Sequence, residues 1–240
     1  MPYAWKAEAD IILERKNKKM DKKALLKAKE NYTFDDLLDI LKILRAPGGC
    51  PWDAEQTHQS IRADFIEEVY EAIEGIDAND DEIMKEELGD VLLQVVFHAR
   101  IADDDNRFDI TDILNGICRK LIVRHPHVFG DVSVSSTEEV LDNWNTIKMQ
   151  TKGQKSAKES VQSISKSLPS LMRAEKTASK LHKYDIPYAT VEDIVKLSQQ
   201  LDGEESIGKL LYAVTSYAKS VNADAEKCLY DQCDKVIENV

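Results

Sequence analysis

Apolar positions recur at a helical period along almost the whole chain. In TFDDLLDILKILR (33–45), Thr33 can cap a helix, acids fill the first turn, and Leu and Ile follow three and four apart. The same pattern predicts helices near 60–76, 82–103, 109–124 and 137–150, then near 168–183, 190–201, 204–221 and 223–238. Residues 3–30 read as a charged leading helix. Strand-like alternation is confined to VFGDVSVSS (128–136). APGGCPWDAEQTHQS (46–60) reads as a turn-rich loop, and the polar TKGQKSAKES (151–160) as a linker. The expectation is an all-α fold, a helical bundle.

One helix departs from simple amphipathicity. In KEELGDVLLQVVFHAR (85–100), Leu88, Val91, Leu92, Leu93, Val95, Val96, Phe97 and Ala99 spread around nearly the whole wheel. A helix apolar almost all round is normally buried. Yet Glu87, Asp90, Gln94 and His98 share a wedge of roughly 80°. Lys85, Glu86 and Arg100 fall on another edge and suit solvent. The wedge is either a narrow wet seam or a functional stripe.

An internal repeat bears on that choice. EELGDVLLQVVFHAR (86–100) aligns with ESIGKLLYAVTSYAK (205–219): Glu86 with Glu205, Gly89 with Gly208, Leu92 with Leu211, Val95 with Val214, Ala99 with Ala218. The polar stripe is replaced by Ser206, Lys209, Ala213 and Tyr217. The scaffold recurs without the acids, which favours function for the copy that keeps them.

The preceding helix, IRADFIEEVYEAIEG (61–75), has an apolar face of Ile61, Phe65, Val69, Ala72 and Ile76. Glu68 lies at its edge with Glu71 beside it, while Glu67 and Glu74 point more nearly away. Glu68 and Glu71 are three apart, as are Glu87 and Asp90, so each pair shares one helix side. A short turn around IDANDD would bring the four carboxylates together. Two carboxylates about 4 Å apart repel by roughly 4 kcal/mol at an effective dielectric near 20. Such a cluster calls for cations or raised pKa values. All-oxygen donors without Cys or paired His favour Mg²⁺ or Mn²⁺ over Zn²⁺.

Composition narrows the classes. A chain of 240 residues, 42% hydrophobic and 32% charged, can bury a real core and suits a helical globular protein. A net charge of −12 argues against a nucleic-acid polymer or an anionic membrane surface as partner. No apolar run is long enough to span a bilayer, and MPYAWKAEADIILERKNKKMDKK lacks a signal-peptide core. Cys50, Cys118, Cys228 and Cys233 form no C-x-x-C pair. They read as reduced thiols of a cytoplasmic protein.

These residues are also familiar. E-E-x-x-E at Glu67–Glu71 followed by E-x-x-D at Glu87–Asp90 resembles the MazG family of all-α nucleoside triphosphate pyrophosphohydrolases. The resemblance extends to GGCPWDAEQTH, to KLIVRHPHVFGD (120–131) and to the tryptophan of DNWNTIK (142–148). The weaker repeat, preceded by LPSLMRAEKTASKL (168–181), resembles the start of the second domain of two-domain members. It lacks the acids and stops before a second tryptophan segment. The implied organisation is a leading extension (1–32), a catalytic helical domain (33–150), a linker (151–163) and a degenerate repeat (164–240).

The resemblance implies Mg²⁺-dependent cleavage of nucleoside triphosphates (NTP or dNTP) to monophosphate and pyrophosphate, serving nucleotide-pool control, by a homodimer. By resemblance Glu68, Glu71, Glu87 and Asp90 ligate the metal, and Glu67 orients the water. Lys120 and Arg124 are one helical turn apart beside Ile113, Ile117 and Leu121; they can donate to phosphates or simply complement the helix C-terminus. Trp144 resembles the family's nucleotide-contacting tryptophan. Trp52 sits in a loop that could close over a base or pack on the bundle. Gln94 and His98 lie further along the wedge, where they could line the pocket. His125 and His127, flanking Pro126, read as structural. A di-iron bundle would want two E-x-x-H motifs, and only Glu55–His58 fits. The competing expectation is a catalytically idle, Mg²⁺-stabilised interaction module.

Overall fold

Thr33 opens the first long helix with a reciprocal cap. Its hydroxyl oxygen accepts from the Asp36 backbone N–H, and its own N–H donates to Asp36 Oδ2 at 2.9 Å. Lys29 Nζ donates to both Asp36 carboxylate oxygens, which with the Thr33 bonds lowers the Asp36 pKa to about 2. The computed structural model describes residues 22–152 and 156–239. Most of the expected leading helix lies outside the described residues; 22–27 are helical and Leu26 is buried.

Helix α1 (Phe34–Arg45) leads through a tight loop into α2 (Pro51–Glu55), with proline in the first helical turn. Gly49 is required in that loop, because a Cβ there would lie 2.1 Å from the Leu44 carbonyl oxygen. Helix α3 (Arg62–Ala78) ends at Asn79 in the left-handed region, φ 52°. Asp80 then caps α4 (Asp81–Asp104) by accepting from the N–H groups of Glu82 and Ile83. The two helices form a hairpin held close by Gly75, where a Cβ would sit 2.7 Å from the Met84 nitrogen. There follow α5 (Ile110–Arg124), α6 (Pro126–Phe129), α7 (Thr137–Lys152), α8 (Ala157–Gln162), α9 (Ser170–His182), α10 (Val191–Ser198), α11 (Glu204–Ser220) and α12 (Ala225–Glu238). The fold is all-α, with no strand among the described residues. The expected strand at 128–136 instead begins in the short helix α6, set by Pro126, and continues as irregular chain.

The chain divides into two compact units, Met1–Val123 and Arg124–Val240. In the first, α1 and α3 pack on α4 around Leu41, Ile61, Val96, Phe97 and Ile101, with Leu37, Leu38, Leu44 and Ile110 against them. Burial follows the C-terminal half of α4. In its N-terminal half Leu88 and Leu92 are 50% and 42% exposed, and on α3 Val69 and Ile76 are exposed too. The helix expected to be buried all round is therefore buried over half its length. In the second unit α9 and α10 pack on α11, whose Ala213, Thr215 and Ser216 are buried. Helix α10 ends at Ser198, three residues before the expected Leu201, and Leu201 is exposed. No helix among the described residues is long and apolar enough to cross a membrane.

Candidate metal centre

The α3–α4 hairpin aligns the acids by helix periodicity. Glu68 and Glu71 stand one turn apart on α3; Glu87 and Asp90 stand one turn apart on α4. Carboxylate oxygens of Glu68, Glu71 and Glu87 all lie within 4.8 Å of one another. Burial raises the Glu68 pKa, and the charges of Asp90, Glu71 and Glu87 raise it further. Burial likewise raises that of Glu87, reinforced by Glu71, Glu86 and Asp90. Asp90 therefore belongs electrostatically to the same cluster. Glu67 is exposed and outside it.

No basic residue neutralises this cluster among the described residues. Its one opposing contact is a hydrogen bond from the Gln94 side chain to Glu68. Gln94 is 7% exposed, and its Oε1 has no partner among the described residues. Converging carboxylate oxygens, with Glu68 and Glu87 raised in pKa by burial and by their acidic neighbours, fit a hard divalent cation, which would take up their charge.

One turn beyond Gln94, His98 faces the loop that precedes α3. His98 Nδ1 lies 2.7 Å from His58 Nδ1, and the rings are 9° from parallel. Arg107 Nη2 lies 2.5 Å from His58 Nε2, and Phe65 tilts against His98. His98 is thus tied to the loop. The importance of His58 and Arg107 was not visible in the sequence, where no spacing rule joins residues so far apart. The same loop is held by Arg45, which donates to the carbonyls of Asp53 and Gln56 and pairs with Asp104 at 2.9 Å. Trp52, on the loop's short helix α2, is 59% exposed.

Lys120 is exposed on α5, and no hydrogen bond or ion pair joins it to the acids among the described residues. In the second unit, the Arg124 guanidinium lies 5.1 Å from the Trp144 ring centroid and Lys148 Nζ lies 4.5 Å from it. Trp144 is half-buried and has two cations within cation–π distance of its ring. His125 and His127 tilt against each other, and His127 Nδ1 is buried. All four cysteines are free.

An all-α protein whose helical hairpin gathers carboxylates for a divalent cation is the class this geometry defines. Comparison with known proteins supplies the family. The family model for the MazG nucleotide pyrophosphohydrolase domain matches residues 56–129, a span holding His58, both pairs of acids and Lys120. The nucleoside triphosphate pyrophosphohydrolase/pyrophosphatase MazG of Thermotoga maritima is 38% identical over 216 residues, covering 85% of this chain and 83% of that protein. The nucleoside triphosphate pyrophosphohydrolase of Escherichia coli K12 is 37% identical over 219 residues, covering 84% and 83%. A shorter match, 48% identical over 147 residues, links 60% of this chain to 29% of the uncharacterized protein YabN of Bacillus subtilis. The chain belongs to the MazG family of nucleotide pyrophosphohydrolases.

Proposed function

We propose that the first unit hydrolyses nucleoside triphosphates to the monophosphate and pyrophosphate with Mg²⁺, Mn²⁺ serving as a substitute. The observation that carries this reading is the un-neutralised convergence of Glu68, Glu71 and Glu87. Relatives covering most of the chain carry the matching name. Glu68, Glu71, Glu87 and Asp90 would hold the metal. When bound, it polarises phosphoryl oxygens and offsets the charge of the triphosphate.

The chain's own groups do the rest. Gln94 fixes the Glu68 carboxylate by its hydrogen bond. Glu67, next to Glu68 and open to solvent, is assigned to orient the attacking water. Lys120 is assigned to the polyphosphate, and Trp52 and His98 to the walls of the nucleotide site; Arg124 and Trp144, expected to join them, belong to the second unit. One water is consumed and one phosphoanhydride, between the α and β phosphorus atoms, is broken.

We assign the catalytic domain to 33–150, the linker to 151–163 and the degenerate repeat to 164–240. The working form is a homodimer in the cytoplasm. The exposed Val69, Ile76, Leu88 and Leu92 of the hairpin supply an apolar face for a second copy. Phosphorus NMR of a completed reaction tests the function. Pyrophosphate with monophosphate is the expected product pair. Dominant orthophosphate, or no Mg²⁺-dependent turnover with any NTP or dNTP, overturns it.

A further inference from the structure

The Gln94 side chain donates from α4 to the Glu68 carboxylate on α3. An ionised carboxylate only accepts, so the carboxamide nitrogen makes that bond and Oε1 does not. Oε1 belongs to the same planar group and therefore lies beside the acids. It is buried, and no group among the described residues donates to it. A buried acceptor without a donor is rare in folded proteins and calls for one.

The internal repeat separates a packing role from a functional one. Gln94 aligns with Ala213 of α11, which is 4% exposed. The positions that follow keep the same burial: Val96 and Phe97 align with Thr215 and Ser216, and all four are buried. Glu87 and Asp90 align with Ser206 and Lys209. Where the acids are absent, then, the scaffold fills the Gln94 position with a methyl group. The carboxamide goes with the acids, not with the helix. Nor does Gln94 suit the nucleotide wall expected of it. At 7% exposure it offers a substrate little surface, and its nitrogen is already committed to Glu68.

A hard divalent cation brings the missing donor with it. Mg²⁺ dehydrates reluctantly and keeps several waters when carboxylates hold it. Those waters are polarised by the ion and donate strongly.

We propose that Gln94 is a positioning residue of the metal centre: its Nε2 holds the Glu68 carboxylate, and its Oε1 accepts from a water that the cation keeps. The role rests on the Mg²⁺-dependent activity proposed for the first unit. It adds a preference to that site. A fixed acceptor for retained water favours Mg²⁺ over Ca²⁺, which takes more of its ligands from protein oxygens. The attacking water stays assigned to Glu67.

Gln94→Met tests this, because it nearly keeps the length of the side chain and removes both hydrogen-bonding atoms. Mn²⁺ binding to the full chain is followed by the EPR signal of the free ion, and Mg²⁺ and Ca²⁺ are measured by displacing Mn²⁺. The Mg²⁺ dissociation constant is expected to rise by about 10–100-fold, the usual effect of losing a hydrogen-bonding partner in a metal site. The rise for Ca²⁺ is expected to be several times smaller. A residue that only packs, or only steadies Glu68, moves both ions alike or neither. Melts in EDTA establish that the variant is folded. Gln94→Ala, which copies Ala213 of the repeat, carries the same comparison if the methionine does not fit. Unchanged Mg²⁺ affinity, or equal losses for Mg²⁺ and Ca²⁺, overturns the proposal and leaves the metal centre standing. A native chain that binds no Mn²⁺ overturns the metal centre itself, and the role of Gln94 with it.

Discussion

His58 Nδ1 and His98 Nδ1 stand 2.7 Å apart, a distance that demands one donor and one acceptor. Arg107 decides which is which. Its Nη2 can only donate, so His58 Nε2 accepts, and the His58 proton sits on Nδ1. His98 Nδ1 then accepts from it and carries its own proton on Nε2. Every contact in the row is satisfied only while both imidazoles are neutral. Protonating either ring sets two donors against each other, in a place where burial and then His58 already lower the His98 pKa.

Stability is therefore expected to fall in mild acid. With the folded pKa of His98 below the ordinary 6.5, the unfolded chain binds more protons as pH drops from 6.5 toward the lowered value. The contribution is intact above 6.5 and is lost as pH falls through that window. Denaturant melts of the native chain and of His98→Phe, compared across it, are expected to show a smaller acid loss in the variant. Proton NMR showing His98 titrating at or above 6.5 would refute the assignment of protons.

Gly75→Ala is expected to destabilise the first unit by about 1–3 kcal/mol, the usual range for forcing a methyl into a filled space. The obstruction is backbone, the Met84 nitrogen at 2.7 Å, so no side chain can swing aside. The hairpin must spread, which also separates the Glu68 and Glu87 carboxylates. Urea melts measure the loss. A variant as stable as the native chain would show that the hairpin is not held by this close approach.

How far the sequence carried is clear from particular residues. Thr33 was legible as a helix cap, because local chemistry sets it; the reciprocal bond to Asp36 came from the structure. The meeting of Glu68, Glu71 and Glu87 was legible because helix period and a short turn are enough to align them. The His58–His98 contact was not, since only packing of the loop on α4 creates it. Nor was the exposure of Leu88 and Leu92, since an apolar residue looks the same whether its wall comes from its own chain or another. The strand expected at 128–136 misled in a different way: it rested on the alternation in VFGDVSVSS, whereas the fixed φ of Pro126 just before it favours the first turn of a helix.

Turnover is expected to separate the two repeats. Glu87→Gln keeps shape but removes a charge from the cluster, and activity should drop by more than about 100-fold, since even outer partners of metal ligands are worth about 10–100-fold. Lys209→Ala, at the Asp90 position of the second unit, should leave most of it. Lys209 has a Glu205 partner and no convergent acids around it among the described residues. Steady-state pyrophosphate release for both variants decides the matter. Equal loss in both would mean that the second unit takes part in the chemistry.

The last expectation concerns the cost of the acidic cluster itself. Glu68 and Glu87 are held above their ordinary pKa by burial and by each other's neighbours, and Asp90 contributes to both. Without metal, the folded state therefore carries a repulsion that the unfolded chain escapes. Asp90→Asn removes one charge and nearly keeps volume, so it is expected to raise the melting temperature in EDTA. Mg²⁺ should raise that of the native chain, by an amount equivalent to about 2.7 kcal/mol at a hundred times its Kd. In Asp90→Asn the Mg²⁺ shift should shrink and hydrolysis should be lost. Repulsion, metal affinity and activity are then one property of one carboxylate, and the three readouts must move together. Melts in EDTA and in Mg²⁺, run beside the activity assay, measure all three. If Asp90→Asn melts lower in EDTA and keeps the full Mg²⁺ shift, Asp90 is a structural hydrogen-bonding residue and the metal is held elsewhere.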